Sequence, residues 1–394
     1  MAVKNQSELR NNNIRILLRA LVRRGPLSRS DLCRVIGLTP SAITALTKQL
    51  LDDGVLFEHN VHTRRHAGAG RPPVLLQLRD DAYVALGVEI GVGYLTMGVM
   101  GIAGKLLHVQ ESRIDVSSSP EQVVDEIYAF YVDYRNYLQG PDVHLCGIGA
   151  AATGHVDSTT GVNHFSPNLG WRDVPLGDML HKRLQLPTSI DNNVRLMALA
   201  EEWFGKARNS RSLVFVQVGS GVGCGILLPS IGLLRGTHHG AGELGHCTII
   251  PDGPLCTCGK RGCLEALVSN KALVEAYENA PGCTALPGMN QHRQVGVIVE
   301  RAVSGETVAN AVLQNAAEYL GIGLAAIVNL IEPRSIILNG NAFVRAPLTR
   351  DWIKQAAHDH AFGRRMEVEF LDSTFQDKQA MVGAAAAVLR RCVL

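Results

Sequence analysis

The sequence predicts an α/β protein that carries a winged helix-turn-helix at its N-terminus, and three observations lead there. Residues 1–80 combine helix-spaced apolar residues with a surplus of positive charge. Beyond them, short strands rich in Val and Ile, such as those in "YVALGVEIGVGYLTMGVMGIAGKLL" and "SLVFVQVGSGVGCGILL", alternate with glycine turns and helical stretches. Two strand-glycine-strand units, around Gly91 and around Gly219–Gly225, are alike enough to suggest a duplicated core.

Within the first eighty residues, Ile14, Leu17, Leu18 and Leu21 recur at three- and four-residue spacing, which predicts an amphipathic helix from Asn11 to Val22 ending near Gly25-Pro26. A second helix begins after Ser28 or Ser30, Gly37 makes a tight turn, and a third helix starts at Pro40 with Thr39 as its N-cap. On that third helix Ile43, Leu46 and Leu50 face the other helices, while Ser41, Thr44 and Lys48 share the opposite face. Short polar side chains with one cation suit the major groove. After Gly54, Val55–Glu58 and Val74–Leu78 read as the two strands of a wing whose loop carries Arg64, Arg65 and Arg71, side chains suited to phosphates or the minor groove. Residues 1–80 hold 13 Lys and Arg against 6 Asp and Glu, a balance of +7 in a chain of net charge +2. That asymmetry points to double-stranded DNA as a partner of the N-terminal part.

The chain has 394 residues, 46% hydrophobic and 19% charged, enough apolar material for two or three domains and too much for a disordered chain. The longest nearly uncharged apolar run, Tyr319 to Ile331, falls short of the roughly 20 residues of a membrane span, and the N-terminus lacks the apolar core of a secretory signal. The expectation is a cytoplasmic protein with no membrane partner.

The most specific chemistry lies in "GELGHCTIIPDGPLCTCGKRGCLEALVS". Nine cysteines is an odd number, and three of them, Cys256, Cys258 and Cys263, crowd into eight positions behind His246. One imidazole and three thiolates form the ligand set of a closed tetrahedral zinc site, and with no position left for water such a site is structural. Unbound, reduced thiols are the alternative. Cys247 reads as an ordinary strand cysteine. A second group, Asp191, Asn192 and Asn193, stands directly before an apolar helical stretch. These residues either cap that helix or face a ligand, and their types suit both tasks.

"GELGH" followed by "CTCGKRGCLEALVS", with "FSPNLGWRDVPL" and "AMVGAAAAVL", resembles the ROK family of sugar kinases and sugar-responsive repressors, from about residue 82 to the end. With its helix-turn-helix the chain resembles the repressor branch typified by the xylose and N-acetylglucosamine repressors. The resemblance implies an actin-like (ribonuclease H-like) fold of two lobes around a sugar-binding cleft. A DNA-binding domain would span 1–80 and a ROK domain 81–394. The smaller lobe would cover about 81–200 plus the C-terminal helix; the larger, zinc-bearing lobe would cover about 201–375. Position by position, the family's sugar contacts fall on Asn168, Asn192, Glu243, His246 and Glu265, with Asn193 beside them.

Family kinases typically read Asn-Asp where this chain reads Asn192-Asn193, and that Asp is the base that deprotonates the sugar. An amide cannot take the proton, and general-base help is typically worth on the order of 10²–10⁴ in rate. Kinases also read Asp-x-Gly-Gly-Thr where this chain has Glu89, Val92 and Gly93 in place of Asp, Gly and Thr, and "LNGN" replaces a glycine triplet. Only "VGSGVGCG" keeps its glycines. The resemblance therefore implies a repressor, not an enzyme, that takes a sugar or sugar phosphate in a degenerate kinase cleft and presents a homodimer or homotetramer to operator DNA. The alternative is an ATP-dependent sugar kinase with an appended DNA-binding domain.

Overall fold

The second and third helices of the head each start where a side chain satisfies an unpaired backbone N–H. A computed structural model describes residues 6–60, 74–140, 142–208, 210, 212–344, 347–364 and 367–394. Helix α1 (Gln6–Arg24) is followed by β1 (Leu27–Ser28), and Ser28 then caps α2 (Arg29–Ile36). Its hydroxyl accepts from the Asp31 N–H while the Asp31 side chain accepts from the Ser28 N–H, a reciprocal capping box. Thr39 accepts from the Ala42 N–H and Pro40 opens α3 (Pro40–Asp52), as its sequence requires. β2 (Leu56–Asn60) and β3 (Val74–Leu78) pair antiparallel with Leu56 opposite Leu78, and β1 adds to β3 in the order β1-β3-β2. Leu17, Leu18, Leu32, Ile43, Leu50 and Leu76 are all buried, so helices and wing share one core.

The chain divides into two compact units, one reaching to Leu196 together with Asp377–Leu394, the other Met197–Gln376. In the first, β4 (Tyr83–Gly91), β5 (Tyr94–Gly101) and β6 (Leu106–Arg113) form an antiparallel meander. After α4 (Pro120–Leu138), β7 (His144–Ala152) pairs parallel with β4. A small antiparallel sheet of β8 (His155–Asp157), β9 (Val162–Ser166) and β10 (Trp171–Val174) intervenes. Then come α5 (Leu176–Leu184) and β11 (Thr188–Asn192), which pairs parallel with β7. α6 (Asn193–Trp203) starts directly from that strand. β4, β5 and β7 are buried on both faces, which explains their near-continuous apolar runs.

The second unit repeats the plan. β12 (Leu213–Val218), β13 (Val222–Leu228) and β14 (Gly232–Leu233) run antiparallel. Helices α7 (Glu265–Val268), α8 (Asn270–Glu278), α9 (Gln291–Val303) and α10 (Thr307–Ile331) lead to β15 (Ser335–Asn339), parallel to β12. After α11 (Asn341–Val344) and α12 (Pro347–His360), β16 (Glu369–Asp372) pairs parallel with β15. Both sheets have their strands in the order third, second, first, fourth, fifth, namely β6-β5-β4-β7-β11 and β14-β13-β12-β15-β16. This is the duplicated core that the two glycine turns suggest, in an actin-like arrangement. α13 (Gln379–Cys392) returns to the first unit and packs on β4, β7 and β5.

One expectation needs correction. The apolar run Tyr319–Ile331 belongs to α10, a helix of 25 residues that is long and apolar enough to cross a membrane by length and composition. Its Leu313, Ala317, Leu320 and Leu324 are fully buried in the core of the second unit, so its hydropathy reflects a central position in that core. Polar residues in its first turns conceal its length in the sequence.

Candidate functional site

On α3, Ser41, Thr44 and Lys48 are exposed while Ile43, Leu46 and Leu50 are buried, the division that the spacing predicts. The Thr44 hydroxyl donates to the Pro40 carbonyl at 2.8 Å, and the Ser41 and Thr39 hydroxyls lie 3.1 Å apart. Arg29 fixes this helix to the wing. Its Nε donates to Thr47 Oγ1 at 3.2 Å and its Nη2 meets Glu58 Oε1 at 2.9 Å. From α1, Arg10 donates to Gln49 at 2.7 Å. A helix held from both sides presents its polar face in a fixed orientation. Arg64, Arg65 and Arg71 lie outside the described residues.

In the second unit the ligand atoms of His246, Cys256, Cys258 and Cys263 all lie within 4.8 Å of one another. Cys256 Sγ is 3.6 Å from His246 Nδ1, and Cys258 Sγ is 3.7 Å from Cys263 Sγ. Zinc bonds of about 2.3 Å to sulfur and about 2.0 Å to nitrogen set tetrahedral edges of about 3.8 Å between sulfurs and about 3.6 Å between sulfur and nitrogen. The cluster fits such an ion. The sulfurs are too far apart for a disulfide, and Cys256 and Cys263 are buried. With Nδ1 turned to the cysteines, the Nε2 of His246 is left for another partner.

The six sugar-contact candidates divide between the units. Asp191 is buried and held by Arg195 at 2.7 Å, which also donates to the Val156 carbonyl at 2.8 Å. Asn192 answers the capping question. Its Oδ1 accepts from the Val194 and Arg195 N–H groups at 2.9 and 3.2 Å, and its Nδ2 donates to the Gly154 carbonyl at 2.9 Å. One amide hydrogen remains for a ligand. Asn193, half-buried on the first turn of α6, makes no side-chain hydrogen bond among the described residues, and Asn168 is exposed on the turn Pro167–Leu169. In the second unit Glu243 is exposed and does not cap the turn Leu244–His246 that it opens. Glu265 is engaged on both oxygens, accepting from the Val222 N–H at 3.0 Å and from the Thr257 hydroxyl at 3.2 Å. It clasps the glycine turn between β12 and β13 to the cysteine loop.

The corresponding turn of the first unit carries a residue that sequence patterns do not single out. Tyr94 folds back over Gly91, where a Cβ would stand 2.1 Å from the ring, and its hydroxyl donates to Glu89 Oε1 at 3.0 Å. Glu89 is 4% exposed, and burial pushes its carboxyl up to about 7. The available signal is a bulky aromatic directly after Val92-Gly93. In "LNGN", Asn339 donates to Gln217 Oε1 at 2.7 Å. Gly340, at φ 139°, lies so close to Val218 that a Cβ would stand 2.2 Å from its carbonyl oxygen. Both its positive φ and its contact with the neighbouring strand require glycine here.

The ROK family model matches residues 85–391, and a model described as winged helix-turn-helix DNA-binding matches residues 10–56. The xylose repressor of Bacillus subtilis is 26% identical over 390 residues, spanning 99% of this chain and 98% of its own length. A crystal structure of a ROK family transcriptional regulator, described as a homologue of the E. coli Mlc protein, is 28% identical, with 98% of this chain and 96% of that chain covered at a TM-score of 0.79. A ROK family glucokinase from Streptomyces griseus, solved with glucose and AMPPNP, is also 28% identical. It covers 77% of this chain and 98% of its own, at a TM-score of 0.64. With a family model matched over most of its length and a winged head joined to the duplicated body, the chain belongs to the ROK family.

Proposed function

We propose that the chain is a sugar-responsive transcriptional repressor of carbohydrate uptake or catabolism genes. Its head, residues 1–80, binds double-stranded operator DNA, and its body, residues 81–394, binds a sugar or sugar phosphate. The observation that carries this reading is the union, in one chain, of a braced helix with an outward polar face and a ROK body that has the amide of Asn193 at the base position. Asn168, Asn192, Asn193, Glu243, His246 and Glu265 supply acceptors and amides for sugar hydroxyls, and a structural zinc ion is held by His246, Cys256, Cys258 and Cys263. A homodimer or homotetramer in the cytoplasm matches a two-fold symmetric operator. The sugar acts through different affinities for the DNA-bound and free arrangements.

Fluorescence anisotropy tests this on DNA from upstream of the chain's own gene and of neighbouring sugar genes, across salt concentrations, with a panel of sugars and sugar phosphates. Sequence-preferring binding released by one sugar is expected, and weak binding equal on all DNA and indifferent to every sugar refutes it. Glu243→Ala is expected to retain DNA binding and lose the sugar's effect. The second reading, a sugar kinase with a DNA-binding head, is favoured by the intact glycine turn between β12 and β13. Sugar-dependent ATP turnover that Glu243→Ala removes would establish it.

A further inference from the structure

Asn192 and Asn168, two of the amides proposed to face the sugar, hang on one node of the first unit. Asn192 ends β11, and its Nδ2 donates to the Gly154 carbonyl at 2.9 Å. Asn168 stands on the turn Pro167–Leu169, which follows Ser166 and is closed by Gly170 in the left-handed conformation. Thr153 and Gly154 are the two residues that link β7 to β8, and Ser166 is the last residue of β9. The link and the strand end touch. Gly154 has φ 90°, and a Cβ there would stand 2.2 Å from the Phe165 carbonyl oxygen and 2.8 Å from the Ser166 Cα. Only glycine lets the two backbones come this close.

Side chains of β9 lock this approach. Thr153 Oγ1 and Ser166 Oγ lie 2.8 Å apart, one hydroxyl donating to the other, and Asn163 Nδ2 donates to the Thr153 carbonyl at 3.0 Å. Ser166 occupies the N-cap position of the Asn168 turn, yet its side chain makes no capping hydrogen bond. A serine at such a position ordinarily caps, and here its hydroxyl serves Thr153 instead. Ser166 and Asn163 are both fully buried, and Asn163 Oδ1 has no hydrogen-bond partner among the described residues. A buried acceptor left unpaired costs stability, so asparagine is a poor choice for packing alone. What it secures is the Thr153 carbonyl.

We propose that Thr153 and Ser166 are positioning residues for the sugar, whose hydroxyl pair holds the Gly154 carbonyl and the Asn168 turn in one register. The proposal rests on the reading of the body as a sugar-binding domain. Neither residue needs to touch the ligand. Thr153 acts on Asn192 through the adjoining Gly154 carbonyl, and on Asn168 through Ser166 at the base of its turn. Two amides that must meet the hydroxyls of one small ligand lose affinity when their anchors shift relative to each other. The hydroxyl pair fixes that relation.

The test is isothermal titration of the full-length protein with D-glucose, D-xylose, N-acetyl-D-glucosamine and D-glucose 6-phosphate, with circular dichroism to establish that each variant is folded at the titration temperature. Thr153→Val keeps the shape of the side chain and removes its hydroxyl. It is expected to weaken the sugar that the wild type binds by about tenfold, and Thr153→Ser, which restores the hydroxyl, to return affinity to within about twofold. Ser166→Ala is expected to match Thr153→Val. The double variant is expected to be no weaker than either, because both changes remove the same hydrogen bond. A stabilising role alone would lower melting and leave the affinity of the folded protein unchanged. Wild-type affinity in folded Thr153→Val, no recovery in Thr153→Ser, or losses that multiply in the double variant overturn the proposal while the sugar reading stands. A wild type that binds none of the four probes overturns the sugar reading itself, so the two failures are distinguishable.

Discussion

The two glycine turns sit at equivalent places in a repeated fold and have been put to opposite uses. Between β4 and β5 the turn is closed from within, with the Tyr94 ring on Gly91 and its hydroxyl on the buried Glu89. Between β12 and β13 the turn is held from outside. Gly219 N–H donates to the Gly221 carbonyl, α8 donates through Asn270 N–H to the Gly219 carbonyl, and Glu265 takes the Val222 N–H. A turn whose space is filled by its own chain has no room for a phosphate, whereas one supported from behind still does. Glycine count alone does not distinguish them. What distinguishes them is which side chain stands over the turn.

The largest expected effect is on the supported turn. Stripping the proposed metal ion with a chelator, or Cys263→Ser, is expected to loosen the loop from which Thr257 reaches Glu265. Apparent zinc affinities in such sites are about 10–16 kcal/mol. A loss of even a few kcal/mol lowers the melting of a unit of this size by ~10 °C. Calorimetry with and without chelator checks this, and unchanged melting breaks the proposed dependence on metal.

The closed turn gives the next largest effect. The Glu89 carboxyl keeps its proton to about pH 7 in the folded protein, against an ordinary value of 4.5. Between those values the native state binds more protons than the unfolded one, so stability falls as pH rises through that window, by about 3 kcal/mol in all. Glu89→Gln cannot ionise. It is expected to flatten the profile and to be more stable than wild type at pH 8 by about 2–3 kcal/mol, read from urea unfolding at pH 5 and pH 8. Parallel profiles for both proteins would mean that the first turn is open to water.

The smallest effect sharpens the contrast from the other side. Glu265→Gln keeps an acceptor for Val222 and should cost only about 1 kcal/mol in thermal melting. A cost no different from that of Glu265→Ala would show that the clasp needs the charge.

Much of the head was legible because its signals are local. Thr39-Pro40 marks the start of α3, and alternating burial along it follows directly from helical spacing. The cysteine cluster was legible for the same reason, since its ligands fall in one short stretch. β1 was not, because two residues become a strand only by pairing with β3, some fifty positions away. The double engagement of Glu265 and the ring of Tyr94 on Gly91 depend on how distant backbone segments meet, which residue types do not encode. The residue type of Asn192 suits both cap and ligand, and its hydrogen bonds assign most of its capacity to the cap.

The packing of α13 on β4, β7 and β5 also sets an order of assembly. Roughly 180 residues of the second unit separate this helix from the rest of the unit it completes. At translation rates of about 5–20 residues per second, the first sheet waits roughly ten to forty seconds for its cover. During synthesis the second unit can finish while the first still exposes an apolar sheet face to the ribosome surface and to chaperones. A stop codon placed before Gln379 would therefore release a product with an intact middle and an unfinished beginning, which quality control would meet as an exposed sheet.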